Sequence, residues 1–126
     1  MEQITLERLE SRLEEKEKER AVYFADRLDF LDIQILRKFY MTGKEFPNDT
    51  QPFCFPILFR EMRVSHNLKI GAEALRKRLD KLASLGLLEK VKRSNPSNYF
   101  PVAGREWFVR TIIVKFFLIN GLTQFL

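Results

Sequence analysis

Lysine and arginine residues are concentrated in one stretch of this 126-residue chain. The whole sequence carries 22 basic and 17 acidic residues, a formal net charge of +5. Residues 60–93 alone hold ten basic and four acidic side chains, a net charge of +6, whereas residues 1–20 hold five basic and seven acidic ones. Clustered cations gain affinity for DNA because they release counterions from its closely spaced phosphates. The charge distribution therefore points to nucleic acid as a partner of the central stretch.

Side chains that most catalytic and metal sites need are scarce. Cys54 is the only cysteine and His66 the only histidine, so one chain can form neither a disulfide nor a Cys/His zinc site. The sequence has no GxSxG, no phosphate-binding loop and no GxGxxG motif. We expect His66 to be a surface or capping residue, and Cys54, between two phenylalanines, to be a small buried apolar group. The sequence thus predicts that the protein is not an enzyme and carries no cofactor or metal.

Residues 1–27 are predicted to form a charged helical arm. Leu6, Leu9 and Leu13 are spaced three and four apart, as on one face of a helix. Lys16 and Arg20 stand where the apolar stripe should continue, so the stripe is shorter than two heptads. Two interpretations remain open: an arm that lies on its own domain, or a short coiled coil that adds to a dimer.

The middle of the chain, residues 28–102, begins with the pattern of two helices. Apolar residues at helical spacing predict a first helix, which Asp29 or Asp32 caps and Gly43 ends. A second helix is expected to begin near Pro56, because proline suits a first helical position.

A third helix and a β-hairpin complete this middle part. The third helix follows Gly71 and ends at Gly86, and its predicted buried face carries Leu75, Leu79 and Leu82. The opposite face carries Glu73, Lys77, Asp80 and Ser84. Strands are predicted at residues 88–92 and 99–102, separated by turn-forming residues. The predicted fold class is mainly α with a small β-hairpin.

Two segments of the middle part resemble winged helix-turn-helix proteins. Residues 70–91 read IGAEALRKRLDKLASLGLLEKV, are followed by a polar hairpin tip, and resemble a recognition helix and wing. Residues 31–43 read LDIQILRKFYMTG and are similar to the first core helix of the MarR-like and ArsR-like regulators of bacteria and archaea. The resemblance implies a winged helix core over residues 28–102, with added helices at both ends and with the third helix in the major groove of DNA.

The resemblance also implies a role for individual residues. Glu73, Arg76 and Lys77 would reach base edges, with Asp80 and Lys81 deeper along the helix. Arg76 or Lys77 would address guanine O6 and N7, and Glu73 would accept from cytosine N4. The wing would meet phosphate or the minor groove through Lys92 and Arg93. The second helix would touch the DNA backbone through Arg60 and Arg63.

Residues 103–126 are predicted to form an apolar helix that pairs two copies of the chain. A helix that is apolar on most sides must be covered by another surface. The predicted dimerisation residues are Trp107, Phe108, Ile112, Phe116 and Ile119. The segment lacks an uninterrupted run of about 18 apolar residues, so a membrane span is not expected.

These features together predict a cytoplasmic, homodimeric protein that binds specific double-stranded DNA as a transcriptional regulator, with no membrane partner. Two-fold pairing would set two third helices about 34–36 Å apart on a pseudo-palindrome. One alternative is a winged-helix protein–protein interaction module without DNA readout, because Glu73 and Asp80 suit a partner of mixed charge. Association of residues 107–126 with a membrane is another.

Overall fold

The computed structural model describes residues 6–41, 50–64, 69–91 and 97–125. Of these described residues 67% are helical, and three short strands among them form a small antiparallel sheet. The helices are α1 (Leu6–Glu10), α2 (Glu15–Arg27), α3 (Phe30–Tyr40), α4 (Phe55–Val64), α5 (Ala72–Ser84) and α6 (Glu106–Ile119). The strands are β1 (Phe53–Cys54), β2 (Glu89–Val91) and β3 (Asn98–Phe100). The prediction of a mainly helical protein with a small β element is thereby confirmed.

The charged arm divides into α1 and α2, and both helices lie against α6. Leu9 is buried at 1% exposure, and Lys115 of α6 forms an ion pair with Glu10 at 3.1 Å. The guanidinium of Arg12 lies 4.2 Å from the centre of the Trp107 ring. The structure therefore has the first of the two predicted arrangements, in which the arm packs on its own chain.

A reciprocal cap starts α3. The Oδ1 of Asp29 accepts from the backbone N–H of Asp32 at 2.9 Å, and the Oδ2 of Asp32 accepts from the N–H of Asp29 at 3.2 Å. Each carboxylate thus satisfies a donor that the helix itself leaves free. Both of the residues that the sequence offered as caps take part.

The sheet has the strand order β1-β3-β2, with all pairs antiparallel. Tyr99 of β3 lies opposite Phe53 on one side and Lys90 on the other. The predicted hairpin is present with strands shorter than expected, and β1 is an additional strand that the sequence pattern does not predict. Cys54 lies in β1 and is half-buried instead of fully buried.

Helix α6 is the centre of the core, and this corrects the predicted dimer surface. Helices α1, α2 and α3 of the same chain pack around α6. Phe108, Ile112 and Phe116 are 1%, 0% and 7% exposed, so they are wrong as dimer contacts because their own chain already covers them. Trp107 is half-buried, and Ile119 remains 52% exposed. No helix among the described residues has the length and apolarity needed to cross a bilayer.

A buried tyrosine joins α3 to the end of α5 and to α6. The Tyr40 hydroxyl donates to the carbonyl oxygen of Leu87 at 2.7 Å and accepts from the N–H of Val102 at 2.8 Å. The Nε of Arg110 donates to the Tyr40 carbonyl oxygen at 2.8 Å. Burial raises the pKa of Tyr40 to about 12. These bonds hold the turn that follows α5 in a fixed position on the core.

Candidate nucleic-acid interface

Helix α5 presents one apolar and one polar face, as the sequence spacing predicts. Leu75, Leu79 and Leu82 have no solvent exposure. The side chains on the opposite side are all exposed: Glu73, Arg76, Lys77, Asp80 and Ser84. At the end of the helix Gly86 takes a φ of 77°, which an L side chain rarely adopts, and the N–H of Leu87 returns to the Leu82 carbonyl at 3.0 Å.

Side chains of α4 and α5 meet in a cation–aromatic row, made of Arg76, Phe55, Phe59 and Arg63. The guanidinium of Arg76 lies over the Phe55 ring, 4.3 Å from its centre. The rings of Phe55 and Phe59 are stacked with centres 5.8 Å apart and planes 15° apart. The guanidinium of Arg63 lies over the Phe59 ring at 5.4 Å. The row brings an exposed cation of α4 and one of α5 onto adjoining surfaces.

The cations of this surface differ in how firmly they are held. Arg76 also lies near Glu73, with Nη1 and Oε2 3.8 Å apart, and both side chains are more than half exposed. Lys77 is exposed and forms no ion pair with any residue that the structure describes. Arg60 on α4 is likewise exposed and forms no ion pair with a described residue. These cations are open to solvent, and therefore to an anionic partner.

Asp80 has partners within its own chain. Its Oδ1 accepts from the Lys90 ammonium at 2.9 Å and from the Tyr99 hydroxyl at 3.2 Å. The hydrogen bond to Asp80 raises the pKa of Lys90. Asp80 therefore ties the middle of α5 to β2 and β3. This is a structural task that differs from the base contact expected of it.

Lys81 also has a partner within its own chain, although its side chain is 44% exposed. Its ammonium lies 2.6 Å from Oδ2 of Asp32, a carboxylate with no solvent exposure. Arg78 binds Oδ1 of Asp32 at 3.2 Å and also hydrogen-bonds to Asp29. Burial alone would raise the pKa of Asp29, but the bonds from Arg78 and from the Asp32 backbone outweigh it and lower that pKa. The four side chains join the start of α3 to α5, so Lys81 takes part in this junction.

Seven of the nine residues that the sequence assigned to DNA lie on α4 and α5, two helices in contact with each other, and all seven are exposed. Arg60, Arg63, Glu73, Arg76 and Lys77 are exposed on α4 and α5. The structure gives Asp80 and Lys81 intramolecular partners. Lys92 and Arg93 lie outside the described residues, as does His66.

Sequence reasoning missed the aromatic part of the site. Phe55, Phe59 and Arg63 are spaced four apart, so their contact along α4 was open to prediction from helical geometry. The contact of Arg76 with Phe55 joins α5 to α4. Residue spacing within one helix cannot predict it, because the two residues lie on different helices. Arg78 on Asp29 and Asp32 is a contact of the same kind, between residues more than 45 positions apart.

No group of three or more His, Cys, Asp and Glu side chains suited to a metal occurs within the described ranges. Comparison of the chain with protein-family models, with curated proteins and with solved structures finds no match.

Proposed function

We propose that this protein binds double-stranded DNA through the exposed surface of α4 and α5. The observation that carries the proposal is the grouping of Arg60, Arg63, Arg76 and Lys77, all exposed, on two consecutive helices. Phosphates on B-DNA are dense enough that several such cations act together by counterion release. Three of the four form no ion pair with a described residue, and the fourth, Arg76, has only a long one to Glu73.

The order of the elements supports a winged helix-turn-helix arrangement. Helices α3, α4 and α5 are followed by β2 and β3, and β1 joins the same sheet. In this arrangement α5 is the helix that enters the major groove, and β2 and β3 form the wing. An α-helix about 10–12 Å wide matches a major groove about 12 Å wide.

In this proposal each side chain takes its role from the helix that carries it and from the partners that it has. Arg76 and Lys77 face the groove, one of the two addresses guanine O6 and N7, and Glu73 accepts from cytosine N4. Arg60 and Arg63 on α4 contact phosphate and set the orientation of the protein. Asp80 and Lys81 hold α5 on the sheet and on α3, so that the outward side chains keep their positions.

The proposal includes a homodimer that acts as a transcriptional regulator. Since the inner faces of α6 are covered, the surface left for pairing is its exposed end, with Leu118 at 50% and Ile119 at 52% exposure. Phe30 is 43% exposed, and its ring packs against Phe116 and Phe117, one turn before that end. Two copies joined there would address two half-sites about one helical turn apart.

Salt titration of binding tests the proposal. Fluorescence anisotropy of a labelled random-sequence duplex is measured between about 50 and 200 mM salt. We expect the logarithm of the binding constant to fall linearly with the logarithm of salt concentration. Arg60→Ala should reduce the slope by about one. Lys16→Ala, which removes an exposed cation from α2, is the matched control and should leave the slope unchanged.

Absence of duplex binding at about 50 mM salt, or binding without a negative slope, would overturn the proposal. A protein-binding surface is the second candidate, because Ile57 and Val64 are 47% and 75% exposed on α4 beside the arginines. Duplex affinity that Arg60→Ala and Arg76→Ala both leave unchanged would favour that candidate.

A further inference from the structure

The exposed cations Arg76 and Lys77 are neighbours in sequence but differ in their surroundings. Arg76 lies over the Phe55 ring at 4.3 Å and beside Glu73 at 3.8 Å. Lys77 has no comparable contact among the described residues. The chain has therefore ordered one long side chain of the α5 surface and left the other unrestrained.

Ordering of this kind matters for recognition of a base. A long side chain loses rotamer freedom when it binds, and a side chain that is already ordered loses less. Guanidinium carries five N–H donors in a planar fork, which suits two acceptors on one base edge. The π-face of Phe55 lies on one side of the group, and the other contact of the guanidinium with a described residue is the ion pair to Glu73 at 3.8 Å.

The support under Arg76 is itself built into the fold. Phe55 is 5% exposed and stacks on Phe59, which lies one helical turn later in α4. The backbone N–H of Phe55 donates to the carbonyl of Ser97 at 3.0 Å, which ties the start of α4 to the strand that follows the hairpin tip. The ring beneath Arg76 is thus anchored to the core and to the sheet.

We propose that Arg76 is the specificity-determining residue of the α5 surface, that it selects guanine in the major groove through O6 and N7, and that Phe55 is the positioning residue that fixes its guanidinium. Lys77 contributes charge and no base preference. The inference rests on the proposed function, because it requires that α5 lies in the groove of a duplex.

The first experiment separates this inference from the proposed function. The wild-type protein selects duplexes from a pool with a randomised centre, and the enriched duplex is remade with single guanines replaced by 7-deazaguanine. That replacement removes N7 and keeps the Watson–Crick pair. At one position we expect affinity to fall about 10-fold, within the range expected for a bidentate contact. The fall should disappear in Arg76→Lys, which keeps the charge but not the planar fork.

Lys77→Arg is the matched control, and it should keep the full sensitivity to 7-deazaguanine. For both variants the salt slope on random duplex should equal that of the wild type, because neither changes the number of charges. If Arg76→Lys keeps the sensitivity, or if Lys77→Arg loses it, the inference is overturned while the proposed function stands. Failure of the wild type to bind any duplex overturns the proposed function first.

A second measurement tests the positioning role without DNA. NMR relaxation of the arginine Nε–H groups in the free protein should give Arg76 a higher order parameter than Arg60, which is exposed and has no ring contact among the described residues. Phe55→Leu should lower the order parameter of Arg76 and weaken guanine discrimination, with the salt slope unchanged. Equal order parameters for Arg76 and Arg60 in the wild type overturn the positioning role, and this outcome does not depend on the folding of any variant.

Discussion

The ammonium of Lys81 lies 2.6 Å from Oδ2 of Asp32, which is fully buried at the start of α3. The two residues are 49 positions apart in sequence, and their contact joins α5 to α3. It means that a lysine on the most basic helix of the protein is part of the scaffold. Arg78 on Asp29 and Asp32 completes the junction. The charge left for a partner is therefore carried by fewer residues than the sequence suggests.

Asp32→Asn should lower the free energy of unfolding by about 2 kcal/mol, because it leaves Lys81 and Arg78 without the carboxylate that they share. The cost stays below that of a wholly buried pair, since both cations are partly exposed. Urea titration followed by circular dichroism measures the change. Asp26→Asn, at an exposed site on α2, is the control and should stay within about 0.5 kcal/mol. Equal effects of the two variants would contradict the structural role.

Lys81→Ala and Lys77→Ala should differ in their effect on DNA binding. The charge of Lys81 is compensated by Asp32, whereas Lys77 has no ion pair with a described residue. We expect Lys77→Ala to reduce the salt slope of duplex binding by about one, and Lys81→Ala to leave it nearly unchanged. Anisotropy titrations on the same random duplex give both slopes. If Lys81→Ala reduces the salt slope more than Lys77→Ala does, Lys81 contacts DNA.

Tyr40 should make the protein sensitive to alkaline pH. Its pKa is raised by burial to about 12, against an ordinary value of 10.0. Since the folded pKa exceeds the unfolded one, its contribution is complete below pH 10 and is lost as pH rises towards 12. A shift of this size corresponds to about 2–3 kcal/mol. Urea unfolding at a series of pH values measures the loss.

Tyr40→Phe should flatten that alkaline decline and cost about 1–3 kcal/mol near neutral pH, because the carbonyl of Leu87 and the N–H of Val102 lose their partner. Tyr23→Phe on exposed Tyr23 is the control and should change neither quantity. If the stability of Tyr40→Phe falls with rising pH as steeply as that of the wild type, another group causes the alkaline loss of stability.

The fluorescence of Trp107, the one tryptophan of the chain, should depend on whether the arm is packed on α6. Leu9→Ala removes a buried side chain that holds α1 on α6, at a cost of about 2 kcal/mol or more. Release of Arg12 from the indole exposes the ring, so its fluorescence emission should shift to longer wavelength. Glu7→Ala, on the exposed side of α1, should leave the emission unchanged. An unshifted spectrum in Leu9→Ala would mean that the arm does not hold Trp107.

Ile119→Glu should convert the proposed dimer into a monomer without unfolding it. The residue is 52% exposed at the end of α6, so a carboxylate there is tolerated by the fold but not by an apolar interface. Light scattering after size exclusion gives the mass in solution. Val64→Glu places the same charge on another exposed apolar site, on α4, and should not change the mass. A wild-type protein that is monomeric in this measurement would rule out the pairing.

The sequence alone determined the two faces of α5. With 3.6 residues per turn, Leu75, Leu79 and Leu82 fall on one side of the helix and the polar side chains fall on the other. It also determined the cap of α3 and the left-handed turn at Gly86 that follows α5, since both depend on residues a few positions apart. These local features locate the exposed cations before any packing is known.

Tertiary structure decided what the local pattern left open. Strand β1 has two residues, too few to show a period, and it exists because Phe53 and Cys54 pair with β3. The partners of Lys81 and Asp80 lie on other elements. The apolar faces of α6 had to be covered, but burial of apolar surface is not directional, so the sequence could not tell a partner chain from the same chain. Packing of α1, α2 and α3 around α6 made that choice.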